Sequence, residues 1–119
     1  TEDIAILDQN SQYTYLNKAH VTIFGYSDAS ELIGKTWKEL YYPEEISRLE
    51  RDVFPILLEQ KRWRGEATAK KKDGTTFAEE VSLTLTERGE LICVCRDISQ
   101  RKQAELALRE SEQRYIALA

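Results

Sequence analysis

The chain predicts an α+β domain of five β-strands, with small helices between the second and third strands and a long charged helix at the C-terminal end. Three observations carry this. Short runs of β-forming residues separated by turn residues stand at the start of the chain and again from Trp63 onward. Between them, apolar residues recur at helical spacing behind residues that cap helices. After Arg96 the period turns helical again and stays so to the end, in a run dominated by charge.

Ile4-Ala5-Ile6-Leu7 and Gln12-Tyr13-Thr14-Tyr15-Leu16 read as a hairpin about the turn residues Asp8 to Ser11. Asn17 then caps a helix beginning Lys18-Ala19-His20, with Ala19, Ile23 and Phe24 expected on one face, and Gly25 stops it. Ser27 or Asp28 caps a short turn through Ala29 to Ile33 that Gly34 closes, and Trp37, Leu40 and Tyr41 offer core anchors. Pro43 suits the first turn of a helix, where its missing N–H was unpaired anyway. Ile46, Leu49, Val53 and Leu57 follow at helical spacing to about Gln60, and Pro55 inside the pattern predicts a kink or break just before it.

From Trp63 the period is two. Trp63 to Lys71 and Thr76 to Thr86 are strands about the turn Lys72-Asp73-Gly74, and Phe77, Glu79, Val81, Leu83 and Leu85 share one face, with Glu79 the polar intruder. Leu91 to Arg96 is a buried strand that runs almost directly into the final helix. Ser99 is expected to cap that helix through its hydroxyl, and Asp97 places a carboxylate near the positive end of the helix dipole. Along the helix Arg101, Ala104, Leu108, Ser111, Tyr115 and Leu118 recur at spacings of 3, 4, 3, 4 and 3. This heptad-like seam reads as a self-associating coiled coil or as a helix packed on its own domain.

The bulk numbers bound the function. With 119 residues, 41% of them hydrophobic, the chain makes one domain of ordinary size. A net charge of −4 argues against nucleic acid as a partner, because phosphate binding needs a basic footprint; Lys70-Lys71-Lys72 reads as a solvated hairpin tip. No apolar run approaches the ~20 residues needed to cross a bilayer, so no direct membrane insertion is expected. The chain has neither a signal peptide nor an initiator Met and is expected to be a piece of a longer protein, whose anchoring elsewhere stays open. Cys93-x-Cys95 is no disulfide framework, and a reducing cytoplasm is the expected compartment. No nucleophile–base pair and no phosphate-cradling glycine loop is present, so the domain is not expected to be an enzyme.

Six blocks in sequence carry a resemblance. They are Asn17-Lys18-Ala19 through Phe24-Gly25-Tyr26; Glu31-Leu32-Ile33-Gly34-Lys35; Tyr42-Pro43-Glu44-Glu45; Trp63-Arg64-Gly65-Glu66; Lys71 through Phe77; and Arg96-Asp97-Ile98-Ser99-Gln100-Arg101-Lys102. In this order they resemble a PAS domain, a sensory module of bacterial signalling proteins, from Asp3 to about Lys102. The resemblance implies a five-stranded antiparallel sheet with small helices on one face and a C-terminal exit helix. Residues 1–99 would form the domain core and 100–119 a signalling helix leading toward a following domain.

The last block resembles the family's Asp-Ile-Thr signature, with Ser99 in place of Thr, which makes Asp97, Ser99 and Arg101 the relay between sensing and output. Asp97 and Arg101 are expected to clamp strand to helix. An exposed i,i+4 pair is worth about 0.3–0.5 kcal/mol, so it would fix geometry more than stabilise the fold. The family cavity implies a pocket lined by Leu7, Trp37, Glu79, Val81, Leu83, Cys93 and Cys95, with Ala5 also facing inward. Ile92 and Val94 alternate to the outer face, and together with Ala104, Leu108 and Tyr115 are the expected homodimer surface. The segment Ala107 to Tyr115 is similar to the lead-in of a further PAS domain. The expected parent is a cytoplasmic sensor histidine kinase of a two-component phosphorelay, with neighbouring PAS or kinase domains as partners. A diguanylate cyclase parent and a ligand-free dimerisation and spacer module are the alternatives.

No cofactor is assigned. Photoactive flavin chemistry in this family needs a cysteine shortly after the Gly34 position, where this chain reads Thr36-Trp37-Lys38. Haem-binding members carry a histidine on the long helix, and Glu44 to Gln60 has none. The lone His20 lies on the first helix without partners and is not expected to bind metal. Cys93 and Cys95 are two soft ligands where a closed zinc site needs about four, so they read as small core residues, with a redox-sensing thiol as the functional alternative. Glu79 is the sharper oddity. A buried carboxylate must pair, bind a ligand or stay protonated. It is read as lining a small polar ligand site, against the alternatives of curling to the strand edge or pairing with Lys or Arg.

Overall fold

The computed structural model describes residues 2–118. Its strands are β1 (Asp3–Leu7), β2 (Tyr13–Leu16), β3 (Arg62–Lys70), β4 (Thr76–Leu85) and β5 (Leu91–Asp97). They form one sheet in the order β2-β1-β5-β4-β3, with every neighbouring pair antiparallel. The hairpins β1–β2 and β3–β4 are local, and β5 joins them by inserting between β1 and β4. The last strand of the chain is therefore the central one.

Alternation decides which face is covered. Ala5 and Leu7 of β1, Phe77, Glu79, Val81 and Leu83 of β4, and Cys93 and Cys95 of β5 are buried under the helices. On the other face Ile4 lies opposite Val94 and Ile6 opposite Ile92, all four half-buried by one another.

The helical layer is α1 (Lys18–Ile23), α2 (Pro43–Asp52), α3 (Phe54–Gln60) and two short 3-10 turns, Ala29–Glu31 and Trp37–Leu40. Asn17 caps α1 by accepting from the His20 N–H at 3.0 Å, and the same Oδ1 accepts from the Ile4 N–H at 3.0 Å, tying helix to sheet. The face of α1 turned to the core differs from the expected one. His20, Val21 and Phe24 are buried, while Ala19 and Ile23 are only half-buried. The cap fixes the rotation of the helix, and the i,i+4 pair His20 and Phe24 stacks at 4.8 Å on the inward side. Asp28 and Glu31 make a reciprocal capping box on the first 3-10 turn. The break expected before Pro55 falls at Val53, which separates α2 from α3.

The exit helix α4 spans Ser99–Leu118, so the expected domain boundary after residue 99 falls within its first turn. Every residue from Gln100 to Ile116 is exposed. The helix thus leaves the domain instead of packing along it, which removes that alternative for the seam of Ala104, Leu108 and Tyr115. The side chain of Leu118 lies outside the described residues. Among the described residues no helix is long and apolar enough to cross a membrane.

Candidate functional site

A cavity of about 40 Å³ lies between the sheet and the helices. Five of the expected residues line it: Trp37 from the second 3-10 turn, Val81 and Leu83 from β4, and Cys93 and Cys95 from β5. Leu7 and Glu79 do not. Leu7 is wholly enclosed by core packing, and Glu79 sits at the α4 end of the sheet, opposite Asp97 and bonded to Tyr41. The rest of the wall comes from residues not expected in the pocket, chiefly Tyr13, His20, Phe24, Tyr41, Phe54 and Trp63, with Leu49, Ala67 and Leu91. Their common signal is aromaticity. Trp37 packs edge-on against both Tyr41 and Phe54, at 5.8 and 5.1 Å between ring centroids.

Glu79 is fully buried. Its Oε1 accepts from the Tyr41 hydroxyl, and its Oε2 is buried with no hydrogen-bond partner. Among the described residues no lysine or arginine pairs with it, and it does not reach the strand edge, so both sequence alternatives fail. Burial pushes its carboxyl up to about 7; the Tyr41 hydroxyl and the nearby Cys95 thiol pull it back, and the Asp3 and Glu45 carboxylates push it further up. The Cys95 thiol influences the carboxylate without meeting hydrogen-bond geometry to Oε2. Burial also raises both thiols, Cys93 to about 12, and Cys95, beside Glu79, well above the ordinary thiol range. A thiol held un-ionised in this way is a poor nucleophile. Both cysteines are free.

His20 is 2% exposed, and its Nδ1 is buried without a partner. Burial lowers its pKa to about 4, so the ring is neutral at neutral pH. The cavity therefore meets an uncharged imidazole and un-ionised thiols.

The junction to α4 is sewn to β4. The Ile98 N–H donates to the Ala78 carbonyl at 2.9 Å, the Ser99 Oγ accepts from the Ala78 N–H at 3.3 Å, and the Ile98 side chain is buried. Two expectations are corrected here. Ser99 does not cap α4 with its hydroxyl, which is taken by β4; the Asp97 carboxylate instead accepts from the Ser99 N–H at 2.8 Å. Nor does Arg101 pair with Asp97. Its guanidinium lies 3.4 Å from Glu66, 3.6 Å from Glu80 and 3.7 Å from Glu105, and Lys102 lies 2.6 Å from Glu66. The i,i+4 rule names neighbours along one helix, whereas here the stronger acceptors come from the outer faces of β3 and β4. Ile92 and Val94 lie half-buried on that outer side of the sheet, and Ala104, Leu108 and Tyr115 are exposed on α4.

Comparison with known proteins agrees with this architecture. The family model described as "PAS domain" matches residues 1–100. The nitrogen fixation regulatory protein of Klebsiella pneumoniae is 28% identical over 111 residues, a match covering 89% of this chain and 22% of that protein. The chain thus spans less than a quarter of that relative's length. Among solved structures, the PAS domain of a Colwellia psychrerythraea protein superposes with a TM-score of 0.75 at 24% identity, covering 83% of this chain and 87% of that one. A domain of a sensory box sensor histidine kinase/response regulator from Geobacter sulfurreducens gives 0.67 at 22% identity, covering 81% and 82%. At such identities the superpositions speak to the fold, and the family match covers most of the chain. With its central β5 running into a projecting helix, the chain belongs to the PAS domain family, whose members sense and transmit signals and are not catalysts.

Proposed function

We propose that the domain is a sensor and relay module of a multi-domain signal-transduction protein, with a histidine kinase as its output. One observation carries this reading: β5, whose Cys93 and Cys95 line the cavity, continues through Asp97-Ile98-Ser99 into the exposed α4 without a flexible linker. A change in cavity packing shifts β5. The Ile98 and Ser99 bonds to Ala78 carry the shift to the first turn of α4, and Arg101 and Lys102 hold that turn over Glu66 and Glu80. The input biases two packings already present instead of creating a new one.

In this reading residues 1–99 are the sensing core and 100–119 the signalling helix. Two copies associate through the seam of Ala104, Leu108 and Tyr115 and through the outer face at Ile92 and Val94. The partners are neighbouring PAS or kinase domains of the same cytoplasmic chain. The small cavity also favours a second reading, in which the domain relays and dimerises without any ligand. Native mass spectrometry of freshly purified protein separates them. A dimer with retained extra mass supports the sensor, a dimer of bare mass supports the ligand-free relay, and a bare monomer at micromolar concentration overturns both.

A further inference from the structure

Outside the cavity, a groove of about 310 Å³ runs between α3 and the two hairpin turns at the end of the sheet opposite the α4 junction. Phe54 and Leu91 line both spaces, so groove and cavity share one wall. The α3 side of the groove is apolar. Leu57 is buried there, but Leu58 is 64% exposed, which is a costly way to display a leucine unless something covers it. The opposite side is the β1–β2 turn, fastened to the β4–β5 turn by the Gln9 side-chain N–H donating to the Arg88 carbonyl at 2.7 Å. The fit is tight there: a Cβ on Gly89 would come within 3.0 Å of Gln9 Cγ, and Gly89 already needs its φ of +83°. One side is thus a firm polar rim, and the other is a short helix whose two ends leave regular geometry, at Val53 and at the left-handed Lys61.

Charge and size narrow the occupant. Asp8 is the one charged residue lining the groove, and its Oδ1 accepts from the Asn10 and Gln12 N–H groups at 2.8 and 3.1 Å, which fixes the carboxylate in the turn. Inside, the cavity wall is aromatic, aliphatic, imidazole and thiol, with no charged side chain to neutralise an ion. Since a water-sized group needs roughly 10–15 Å³, the cavity alone holds about three of them, and any longer molecule must use the groove as well.

Resting on the reading of this domain as a ligand sensor, we propose that the groove is the outer half of its binding site. Phe54 and Leu91 form the gate between the halves. The ligand is a small uncharged molecule with an aliphatic body that lies along Leu58 and Leu85 and inserts one end into the cavity. Its passage displaces Phe54 from Trp37 and bears on Leu91, the first residue of β5, so binding acts directly on the strand that leads to α4.

Trp37 and Trp63, the protein's only two tryptophans, both line the cavity, so intrinsic fluorescence reports its occupancy. The test titrates the whole chain with n-octanol and with octanoate at neutral pH. The expected result is a saturable one-to-one change with octanol and binding about tenfold weaker or worse for octanoate, because its charge finds no partner. Leu58→Glu, at an exposed position that leaves the core intact, weakens octanol binding about tenfold, while Leu106→Glu on α4 leaves it unchanged. Saturable binding that Leu58→Glu does not alter overturns the groove and leaves the sensor reading standing. No saturable change with any alcohol from ethanol to octanol overturns the proposal, and the sensor reading is then decided by native mass spectrometry. If Leu58→Glu turns a dimer into a monomer in sedimentation velocity, the groove is a contact between copies and the proposal falls.

Discussion

Glu66 of β3 and Glu80 of β4 stand directly opposite each other, and the Arg101 guanidinium reaches both, at 3.4 and 3.6 Å. Like charges directly opposite on neighbouring strands repel. The sheet therefore carries a local conflict, which Arg64 of β3 eases at Glu80 from 2.9 Å and the first turn of α4 eases at both carboxylates. Arg101 and Glu66 are nearly half exposed and Glu80 is half-buried at the surface, so each contact is worth on the order of 1 kcal/mol or less and its role is to set where the helix begins its path. Arg101→Ala is expected to change unfolding free energy by less than about 1 kcal/mol, yet to speed amide hydrogen exchange across the first turn of α4. Exchange there indistinguishable from the unaltered protein would show that the helix is held without Arg101, by the Ile98 and Ser99 bonds and the Lys102–Glu66 pair.

Glu79 titrates backwards relative to most carboxylates of a folded protein. Its pKa is raised by burial from 4.5 to about 7, so between those values the folded state keeps a proton that the unfolded state has released. Its contribution to stability is full below pH 4.5, falls as pH rises through the window, and is lost above about 7, a swing of about 3 kcal/mol. Glu79→Gln removes it. Denaturant unfolding of the two proteins should show the glutamine variant gaining on the unaltered one from pH 4.5 to 7 and no further change above. A gap independent of pH would mean that the carboxyl is ionised in the fold.

His20 works in the opposite direction over an overlapping range. Burial lowers its pKa from 6.5 to about 4, so below 6.5 the unfolded chain takes up a proton that the fold refuses, and stability rises with pH across that window. The two groups nearly cancel in the native sequence. His20→Phe, which keeps a ring against Phe24, is expected to uncover the Glu79 slope, with stability falling between pH 4.5 and 6.5 more steeply than in the unaltered protein and in parallel with it above 6.5.

Cys93 and Cys95 should be silent toward thiol reagents in the folded state. With Cys93 raised from 9.0 to about 12, its thiolate is on the order of a thousand times scarcer than in an open chain at the same pH. Ellman's reagent at pH 7.5 is expected to label neither thiol on the timescale of minutes and to label both promptly in guanidinium. Fast labelling of the native protein would revive the redox-sensing alternative.

The α4 seam predicts a concentration-dependent dimer. Leu108 and Tyr115 are 62% and 77% exposed, and Leu108→Glu places a charge where the seam would close. Sedimentation velocity should show the variant shifted toward monomer at concentrations where the unaltered chain is dimeric. Equal profiles would move the dimer contact to the outer sheet face.

The elements were legible in the sequence wherever their cause was local. The Asn17 cap, the break before Pro55 and the alternation of Phe77 through Leu85 each follow from residues within a few positions of one another, and each is found. The site was less so. Tyr13, His20, Tyr41 and Phe54 meet around the cavity only because a hairpin, a helix, a 3-10 turn and a helix break converge there, and no spacing along the chain encodes that. Arg101 is the instructive case: the spacing along the chain pointed to Asp97, with which it does not pair, while its partners across two strands were not visible. Glu79 was recognisable as misplaced, but its hydroxyl partner Tyr41 comes from a segment without periodicity.

The strand order β2-β1-β5-β4-β3 bears on how the chain folds while it is being made. The β1–β2 hairpin emerges from the ribosome before the β3–β4 hairpin, and each pairs locally, yet neither can complete the sheet and an isolated hairpin is marginal in water. Both must wait with an open edge for β5, the last of the five strands to be synthesised, which pairs with the two of them at once. The domain closes only after Asp97 has cleared the exit tunnel. Nascent β1 is thus exposed to strand-seeking partners for most of its synthesis, and a truncation before residue 97 would leave two hairpins that invite aggregation.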